Sequence, residues 1–468
     1  MKKLLFIILL PLFITGCWDK VEIENRGFVI AMGIDKFGDD DEGKAIQLNG
    51  KTDPPSSDSE DRSSTKKWET DHSKPKESES DHSDAKKTKS NHANSGESES
   101  GNANSKKSES DSSSASSDTS APKASIRPEA RYTVTMALPD VGALMGTGAS
   151  EDGEFIKTVA APTVSEAIRL IDTFSSERLY FGHTKAIIFS EEVLKDENLF
   201  REALDAIERN RELSRNLLVL ATFDDMNAIL NAKIPGEPLI GAFIADFYRK
   251  SEGAAITFKQ DLEGLTRRLR SESNAMIPIL SLEGGKEDAQ IKLGGTAIIK
   301  DFRLSGKLND SQTRAFMWFY GKAKGALITS EHEGIDVPMR ISSSKSKTSF
   351  YEDNGRIRCL LDISLQAEVE EFDFLGVGLN EDNALRELSL ISQNIISDEI
   401  TQLFTLFRDE LNVDGFGLCE RLRKQDDILY ARYGDEAYSL MTLVPRVHLE
   451  ITGAGVILSQ HKRYTNYR

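Results

Sequence analysis

Cysteine is scarce in this chain of 468 residues, which contains only three. A disulfide scaffold and a multi-cysteine zinc ribbon both need more thiols, so both are excluded. Basic residues are also outnumbered, because 59 lysines and arginines face 76 acidic residues and leave a formal charge of -17. A surface that binds phosphates is normally basic, so this balance argues against nucleic acid as a partner.

Large apolar side chains are nearly absent from residues 51–125, where Trp68 is the only one. The segment contains 23 serines, and its 12 basic and 15 acidic residues leave most of the negative charge on the rest of the chain. Such a composition cannot bury enough surface to offset the entropy of ordering. We therefore expect residues 51–125 to be a disordered Ser-rich insertion. Loop-closure entropy grows only with the logarithm of length, so the insertion should cost little stability.

Recognisable catalytic motifs are missing as well. The sequence has no G-x-S-x-G elbow, no G-x-x-x-x-G-K-[ST] loop and no H-E-x-x-H helix. His183 precedes an apolar run, and we interpret it as a packed turn residue and not as a catalytic base. These features favour a protein that is not an enzyme and that uses no cofactor.

Two groups of residues could suggest a metal, and neither makes a convincing site. Three histidines repeat every ten residues inside the insertion, at His72, His82 and His92. A drifted low-complexity repeat explains them better, because flexible ligands would have to be ordered on binding. A cluster of aspartates, Asp35, Asp39, Asp40 and Asp41, misses the EF-hand spacing and fits a solvated turn. We predict no metal site.

The two cysteines in the C-terminal half leave an alternative open. Cys359 falls on the apolar face of a predicted strand, and Cys419 follows a long predicted helix. Buried free thiols fit both positions. A disulfide between them is the alternative in an oxidising compartment.

The N-terminus carries the most specific signal in the sequence. Lys2 and Lys3 precede an apolar run at 4–14, which is too short to span a bilayer and has the length of a secretory signal. Ile14-Thr15-Gly16-Cys17 resembles a bacterial lipobox. We therefore predict a signal peptide at 1–16 and lipidation of Cys17 by S-diacylglycerol and N-acyl groups, which would hold the chain to a membrane. The alternative is an ordinary signal peptide with a cysteine nearby.

The first half of the mature chain alternates between strand-like and helix-like segments. Residues 28–34 and 132–138 are strand-like, and 46–48 begin a strand that we expect to pair with 132–138 across the insertion. Short apolar runs at 186–189 and 217–221 are separated by a helical stripe. This order is typical of a layered α/β or α+β domain.

Residues 239–282 have a weak helical pattern that includes three arginines, Arg267, Arg268 and Arg270. These arginines fit a solvated helix face, or else a contact with lipid headgroups or an acidic partner.

The C-terminal part has the clearest periodicity. Apolar residues occupy every odd position from 357 to 369. A long amphipathic helix follows from 383 to about 411, and alternation returns at 447–451, so the pattern predicts an antiparallel sheet with a helix on one face.

The fold prediction for the whole chain is α+β, with mixed and antiparallel sheets packed against helices. We expect three domains, at 17–235 with the insertion inside it, at 236–310 and at 311–468.

Four short stretches, in this order behind the lipobox, make the chain resemble the Ger(x)C family, the C-subunit lipoproteins of spore germinant receptors. They are Gly16-Cys17-Trp18-Asp19 through Glu22 and Arg26 to Gly33-Ile34-Asp35-Lys36; Phe181-Gly182-His183-Thr184-Lys185; Gly295-Thr296-Ala297-Ile298-Ile299-Lys300-Asp301 with Leu304, Gly306, Leu308, Thr313-Arg314 and Trp318 to Gly321; and Asp414-Gly415-Phe416-Gly417. The Ser-rich insertion departs from the family pattern, where a short connection is expected.

The resemblance implies a non-enzymatic, three-domain α+β lipoprotein held on the outer face of the spore inner membrane. It also implies two membrane partners, a polytopic A subunit and a multispanning B subunit, and a scaffolding or signal-relay role in nutrient germination. The rival hypotheses are a solute-binding lipoprotein that feeds a transporter, and a lipoprotein hydrolase. A solute-binding protein should have two repeated α/β halves, and a hydrolase should have a nucleophile constellation; the sequence has neither.

Deleting residues 51–125 should leave the melting temperature of the remaining chain nearly unchanged, because the segment has almost nothing to contribute to a core. Differential scanning calorimetry of the full chain and the deletion variant measures this. A large drop in the melting temperature would show that the insertion is part of the folded structure.

Overall fold

The computed structural model describes residues 26–38, 46–48, 129–140, 153–370 and 381–453, apart from short gaps at 176, 233, 235, 251–254, 285–288 and 333. The predicted lipidation site and the Ser-rich insertion therefore lie outside the described residues. The described part is α+β, and its strands form a nine-stranded sheet, a four-stranded sheet and a two-stranded pair.

The strands are β1 (Arg26–Phe28), β2 (Ala31–Lys36), β3 (Ile46–Leu48), β4 (Tyr132–Pro139), β5 (Glu154–Ala161), β6 (Arg178–Tyr180), β7 (Ala186–Ser190), β8 (Leu218–Thr222), β9 (Asn274–Glu283), β10 (Gln290–Lys300), β11 (Arg303–Leu308), β12 (Leu327–His332), β13 (Ile335–Asp353), β14 (Arg356–Val369) and β15 (Met441–Gly453). The helices are α1 (Val164–Thr173), α2 (Glu191–Lys195), α3 (Glu197–Arg209), α4 (Met226–Leu230), α5 (Ile240–Lys250), α6 (Leu262–Glu272), α7 (Asp310–Phe319), α8 (Glu381–Thr405), α9 (Leu418–Gln425) and α10 (Asp427–Tyr433). A π-helical turn, Leu406–Glu410, continues α8.

The nine-stranded sheet has the order β11-β10-β9-β8-β7-β2-β4-β5-β3. Its middle strands β2, β7, β8 and β9 are parallel, and the strands on either side are antiparallel. Every residue of β7 and β8 is buried, as expected for parallel strands covered on both faces. The separate pair joins β1 to β6 in parallel.

Helices cover both faces of this sheet. On one face α1, α3 and α6 bury their apolar stripes in a common core, where the rings of Phe189 on β7 and Phe200 on α3 meet edge to face with centroids 5.0 Å apart. On the other face α4 and α5 contribute Ile229, Ile240 and Ile244 to a second core. Thr163 caps α1 by accepting a hydrogen bond from the Glu166 amide.

Two expectations about this sheet are wrong. β3 pairs with β5 and not with β4, because β2 and β5 already occupy the two edges of β4. The segment 239–282 is helical only as far as α6, and it ends in β9. The run Met276-Ile277-Pro278-Ile279-Leu280 is buried within that strand, where side chains on both faces pack against apolar neighbours.

The four-stranded sheet has the order β12-β13-β14-β15. The odd-numbered residues of β14 are all buried, which confirms the predicted amphipathic strand. They face a core built with α7, α8 and α9. The sheet is mixed and not antiparallel, because β14 and β15 run parallel. A parallel pair needs a crossover connection, and the chain from α8 to α10 supplies it.

The nine-stranded sheet crosses the predicted domain boundary at residue 235. β9, β10 and β11 come from residues 236–310, yet they lie in the same sheet as β2 to β8. The four-stranded sheet comes entirely from residues beyond 310. The boundaries at 235 and 310 stay a prediction.

Glu154, the first residue of β5, provides a pH-dependent test of the fold. Burial raises the pKa of its carboxyl to about 7 against an ordinary value of 4.5, with a smaller contribution from Glu237, and a hydrogen bond from the Ile240 amide opposes the rise. Its Oε1 atom is buried without a hydrogen-bond partner. Because the folded state binds this proton more tightly, the associated stability is complete below pH 4.5 and is lost as the pH rises through 7.

Glu154→Gln should therefore stabilise the protein at pH 8 by about 1–3 kcal/mol and have little effect at pH 4. Urea unfolding of both proteins at the two pH values measures this difference. A difference that is the same at both pH values would contradict the placement of a buried, protonated carboxyl at Glu154.

Candidate functional site

The structure brings the described parts of the four motif stretches together in two pairs. The first pair joins residues 26–36 to residues 181–185. β2 and β7 lie side by side, with Ala31 opposite Ala186. The Thr184 hydroxyl donates to the Val29 carbonyl at 3.0 Å, and the Lys185 amide donates to the Ile30 carbonyl at 2.8 Å. The second motif is therefore a turn that precedes β7. Its hydrogen bonds hold the start of β7 beside the segment formed by the first motif.

His183 lies in this turn and is exposed. Its ring packs against Phe28 and Tyr180, with ring centroids 5.2 and 5.5 Å away. These contacts confirm the interpretation of His183 as a packed turn residue.

Asp35 also has a structural partner in this region. Its Oδ1 atom accepts hydrogen bonds from the Ser190 hydroxyl at 2.5 Å and from the Lys36 amide at 2.7 Å. The other aspartates considered for calcium, at positions 39–41, lie outside the described residues, as do the three histidines of the insertion. Within the described ranges, no group of three or more histidine, cysteine or acidic side chains could hold a metal ion.

The second pair joins the end of α7 to the loop Asp414-Gly415-Phe416-Gly417. The rings of Phe319 and Phe416 stack with centroids 4.1 Å apart. The Tyr320 hydroxyl donates to the Phe416 carbonyl at 3.0 Å. We call this contact between α7 and residues 414–417 the aromatic junction.

The two glycines of the loop are needed for this geometry. A Cβ atom at Gly415 would lie 2.6 Å from the Phe407 ring, so only glycine lets the loop pass this close. Gly417 has φ of +65°, a left-handed conformation that side chains disfavour, and α9 begins at the next residue.

Asp414 starts the loop and is buried. Its carboxylate accepts hydrogen bonds from the Leu418 and Cys419 amides, both at 2.8 Å, and so satisfies two of the free donors at the beginning of α9. Burial raises the pKa of Asp414, although the two hydrogen bonds act in the opposite direction. Asp414 therefore caps the helix that follows the aromatic junction.

Glu399 on α8 binds two side chains of α7. It accepts a hydrogen bond from the Trp318 indole nitrogen at 2.9 Å and forms an ion pair with Arg314. Both partners belong to the third motif, whereas Glu399 belongs to none. Sequence reasoning therefore missed it; the only available signal was an acidic residue on a helix with a buried apolar stripe.

Arg268 on α6 is the third partner of the junction. Its guanidinium lies 3.3 Å from both the Tyr320 hydroxyl and the Glu272 carboxylate. The three arginines considered together in the sequence have different environments: Arg267 is exposed, Arg270 pairs with Glu208, and Arg268 is mostly enclosed. Neither the solvated-face nor the lipid-contact interpretation describes Arg268, which ties α6 to the aromatic junction.

The two cysteines near the junction are both free thiols, Cys359 buried and Cys419 partly buried. The alternative of a disulfide is not what the structure contains. Burial raises the pKa of each thiol to about 12. Both therefore stay protonated at neutral pH, the form in which a thiol is a poor nucleophile.

Cys17, the predicted lipidation site, lies outside the described residues. Within the part of the chain that the structure describes, no helix is both long and apolar enough to span a bilayer.

The fold and the motif residues define a class of protein: an α+β chain in which the motif residues make the structural contacts that join its strands, helices and loops. Comparison with known families is more specific. The family profile described as "Spore germination protein N-terminal domain" matches residues 125–282, and the one described as "Spore germination B3/ GerAC like, C-terminal" matches residues 294–455. The chain belongs to the GerAC-like family of spore germination proteins.

Individual relatives have low sequence identity to this chain, but each match covers more than half of it. Spore germination protein YndF of Bacillus subtilis (strain 168) is 23% identical over 295 residues, which cover 60% of this chain and 70% of the relative. Spore germination protein B3 of the same organism is 21% identical over 59% of this chain and 74% of its own length. A solved structure, described as the crystal structure of the GerBC protein, superposes with a TM-score of 0.48 at 18% identity and covers 69% of this chain and 93% of that one.

Replacing Glu399 by alanine should destabilise the protein by about 1–3 kcal/mol, because the Trp318 indole and the Arg314 guanidinium would both lose their acceptor in a largely buried setting. Urea unfolding measures this loss. Asp398→Ala is the matched control, since Asp398 is exposed on the same helix and should change stability little. Equal effects of the two substitutions would contradict the role assigned to Glu399.

Proposed function

We propose that this chain is the lipid-anchored C subunit of a nutrient germinant receptor in spores, and that it acts as a non-catalytic scaffold or relay. The observation that carries the proposal is the order of its parts: a lipobox-like Ile14-Thr15-Gly16-Cys17, followed by matches to the N-terminal and C-terminal spore germination profiles. Cys17 would receive the lipid, and the folded part would lie on the outer face of the spore inner membrane. The partners would be the A and B membrane subunits.

The arrangement around α7 supports a relay role. This short helix contacts three separate parts of the chain through specific bonds: α6 through Arg268, α8 through Glu399, and the loop 414–417 through Phe416. A shift of one of these parts either breaks its own bond to α7 or moves α7 with it, and a movement of α7 would strain the bonds to the other two parts. Such coupling is suited to passing on a displacement, and it requires no catalytic group.

A solute-binding lipoprotein of a transporter is the alternative from the sequence. That class requires two repeated lobes with a cleft between them. The described residues instead form sheets of nine and four strands with different strand orders. This difference favours the receptor subunit.

Cys17→Ala should move the protein from the membrane fraction to the soluble fraction of spore extracts, because the proposed attachment depends on acyl chains at this residue. Germination in response to nutrients should be strongly reduced, while germination by agents that bypass receptors should be unaffected. Immunoblots of the fractions and the fall in optical density of spore suspensions measure the two effects.

Cys419→Ala is the matched control, because it removes a cysteine that lies outside the lipobox and should leave the protein in the membrane fraction. In detergent extracts the unaltered chain should co-purify with the A and B subunits. A normal nutrient response from spores in which the Cys17→Ala protein is soluble would overturn the proposed anchoring.

A further inference from the structure

The four-stranded sheet has one covered face and one open face. Residues 344, 346 and 348 of β13 point toward the helices, and the Ser346 hydroxyl donates to the Phe319 carbonyl at 2.7 Å. The residues between them point the other way, together with the even-numbered residues of β14 and β15. The alternation of side chains along the strands therefore defines the open face as clearly as it defines the buried face.

Two rows of side chains cross the middle of this open face in register. Lys345 lies opposite Ser364, which lies opposite His448. Lys347 lies opposite Asp362, which lies opposite Arg446. All six residues are exposed. We call this set of six residues the cationic face.

The basic residues of the cationic face differ from other basic residues on the same sheet. Arg340 forms ion pairs with Glu368 and Glu370, and Arg358 forms one with Asp353. In the described part of the chain, the side chains of Lys345, Lys347 and Arg446 form no ion pair. Asp362 is the one acidic residue in these two rows, and Glu450 lies in the row beside them, opposite Gln366. The positive charge is therefore confined to the two rows, on a chain whose formal charge is -17.

Apolar and aromatic groups lie next to the cationic face. Leu360 and Val444 are opposite each other on β14 and β15 and are partly exposed. Tyr351, near the end of β13, is 45% exposed. Tyrosine is favoured at membrane–water interfaces, where its ring contacts acyl chains and its hydroxyl stays hydrated.

The chemistry of this surface fits lipid headgroups better than a protein partner. The centres of protein–protein interfaces are apolar and depleted in lysine, serine and aspartate, and four of the six residues of this face are of those types. Basic side chains near an anionic bilayer are attracted to its negative surface potential, and long flexible ones adapt to mobile headgroups. Since the rest of the protein is acidic, close approach to such a bilayer favours the orientation in which this face meets it.

We propose that the cationic face docks on the anionic phospholipid headgroups of the membrane that holds the lipid anchor, and so sets the orientation of the C-terminal sheet on that membrane. This inference rests on the proposed anchoring at Cys17 for its proximity to a membrane. The contact is electrostatic and adds to the anchor without replacing it.

Vesicle binding tests the proposal without the anchor. The mature chain from residue 17, carrying Cys17→Ser and free of acyl groups, is mixed with vesicles of phosphatidylcholine alone or with an equal part of phosphatidylglycerol. Sedimentation in about 0.1 M NaCl, where the Debye length is about 10 Å, should show binding to the anionic vesicles only, and about 0.5 M NaCl should release the protein because the Debye length falls to a few ångströms. The triple variant Lys345→Glu, Lys347→Glu, Arg446→Glu should bind at least about tenfold more weakly.

A triple variant with the same change in net charge is the control: Arg169→Glu, Arg211→Glu, Lys259→Glu, all at exposed positions outside this sheet. It should keep its affinity within about twofold, because surface charge acts mainly within a Debye length of the bilayer. Circular dichroism and thermal melts establish that both triple variants are folded. An equal loss of binding in both triples, or equal binding to uncharged vesicles, would overturn the proposal.

Absence of vesicle binding would overturn it as well. If the Lys345, Lys347 and Arg446 triple then reduced co-purification with the A and B subunits, the face would belong to a protein interface instead. Mass spectrometry of Cys17 in the native protein tests the anchor separately, so failure of the docking face and failure of the proposed lipidation give different results.

Discussion

The packing of Phe416 against Phe319 is the contact on which the C-terminal half depends. Stacked aromatic pairs contribute about 0.5–1.5 kcal/mol beyond their buried area, and here the pair also fixes a loop on a helix. Through Tyr320 the same contact reaches α6, and through Trp318 it reaches α8. One small group of rings thus holds together segments that are far apart in the sequence.

Local periodicity predicted individual elements well but not how they pair. The alternation in β14 and the stripe of α3 depend only on neighbouring residues, so both could be read from the sequence. The parallel pairing of β14 with β15 and the position of β3 beside β5 depend on which strand edges are free in the assembled sheet. No local pattern contains that information.

The same limit applies to the candidate site. The motifs were visible because they resemble a known family. Their partners Arg268 and Glu399 were not visible, since the bonds to Tyr320 and Trp318 join residues 52 and 81 positions apart. A charged residue on a helix is usually solvated, and only the folded structure shows which one is enclosed.

The central position of β2 has a mechanical consequence. This strand lies between β4 and β7 in the middle of the nine-stranded sheet, yet it is among the first elements of the chain. A pulling force applied to the chain ahead of β1 would therefore reach the sheet at an interior strand, where the ladders on both sides must shear together. Such tension would be carried by an interior strand that is paired on both sides and would not peel a strand from an edge of the sheet.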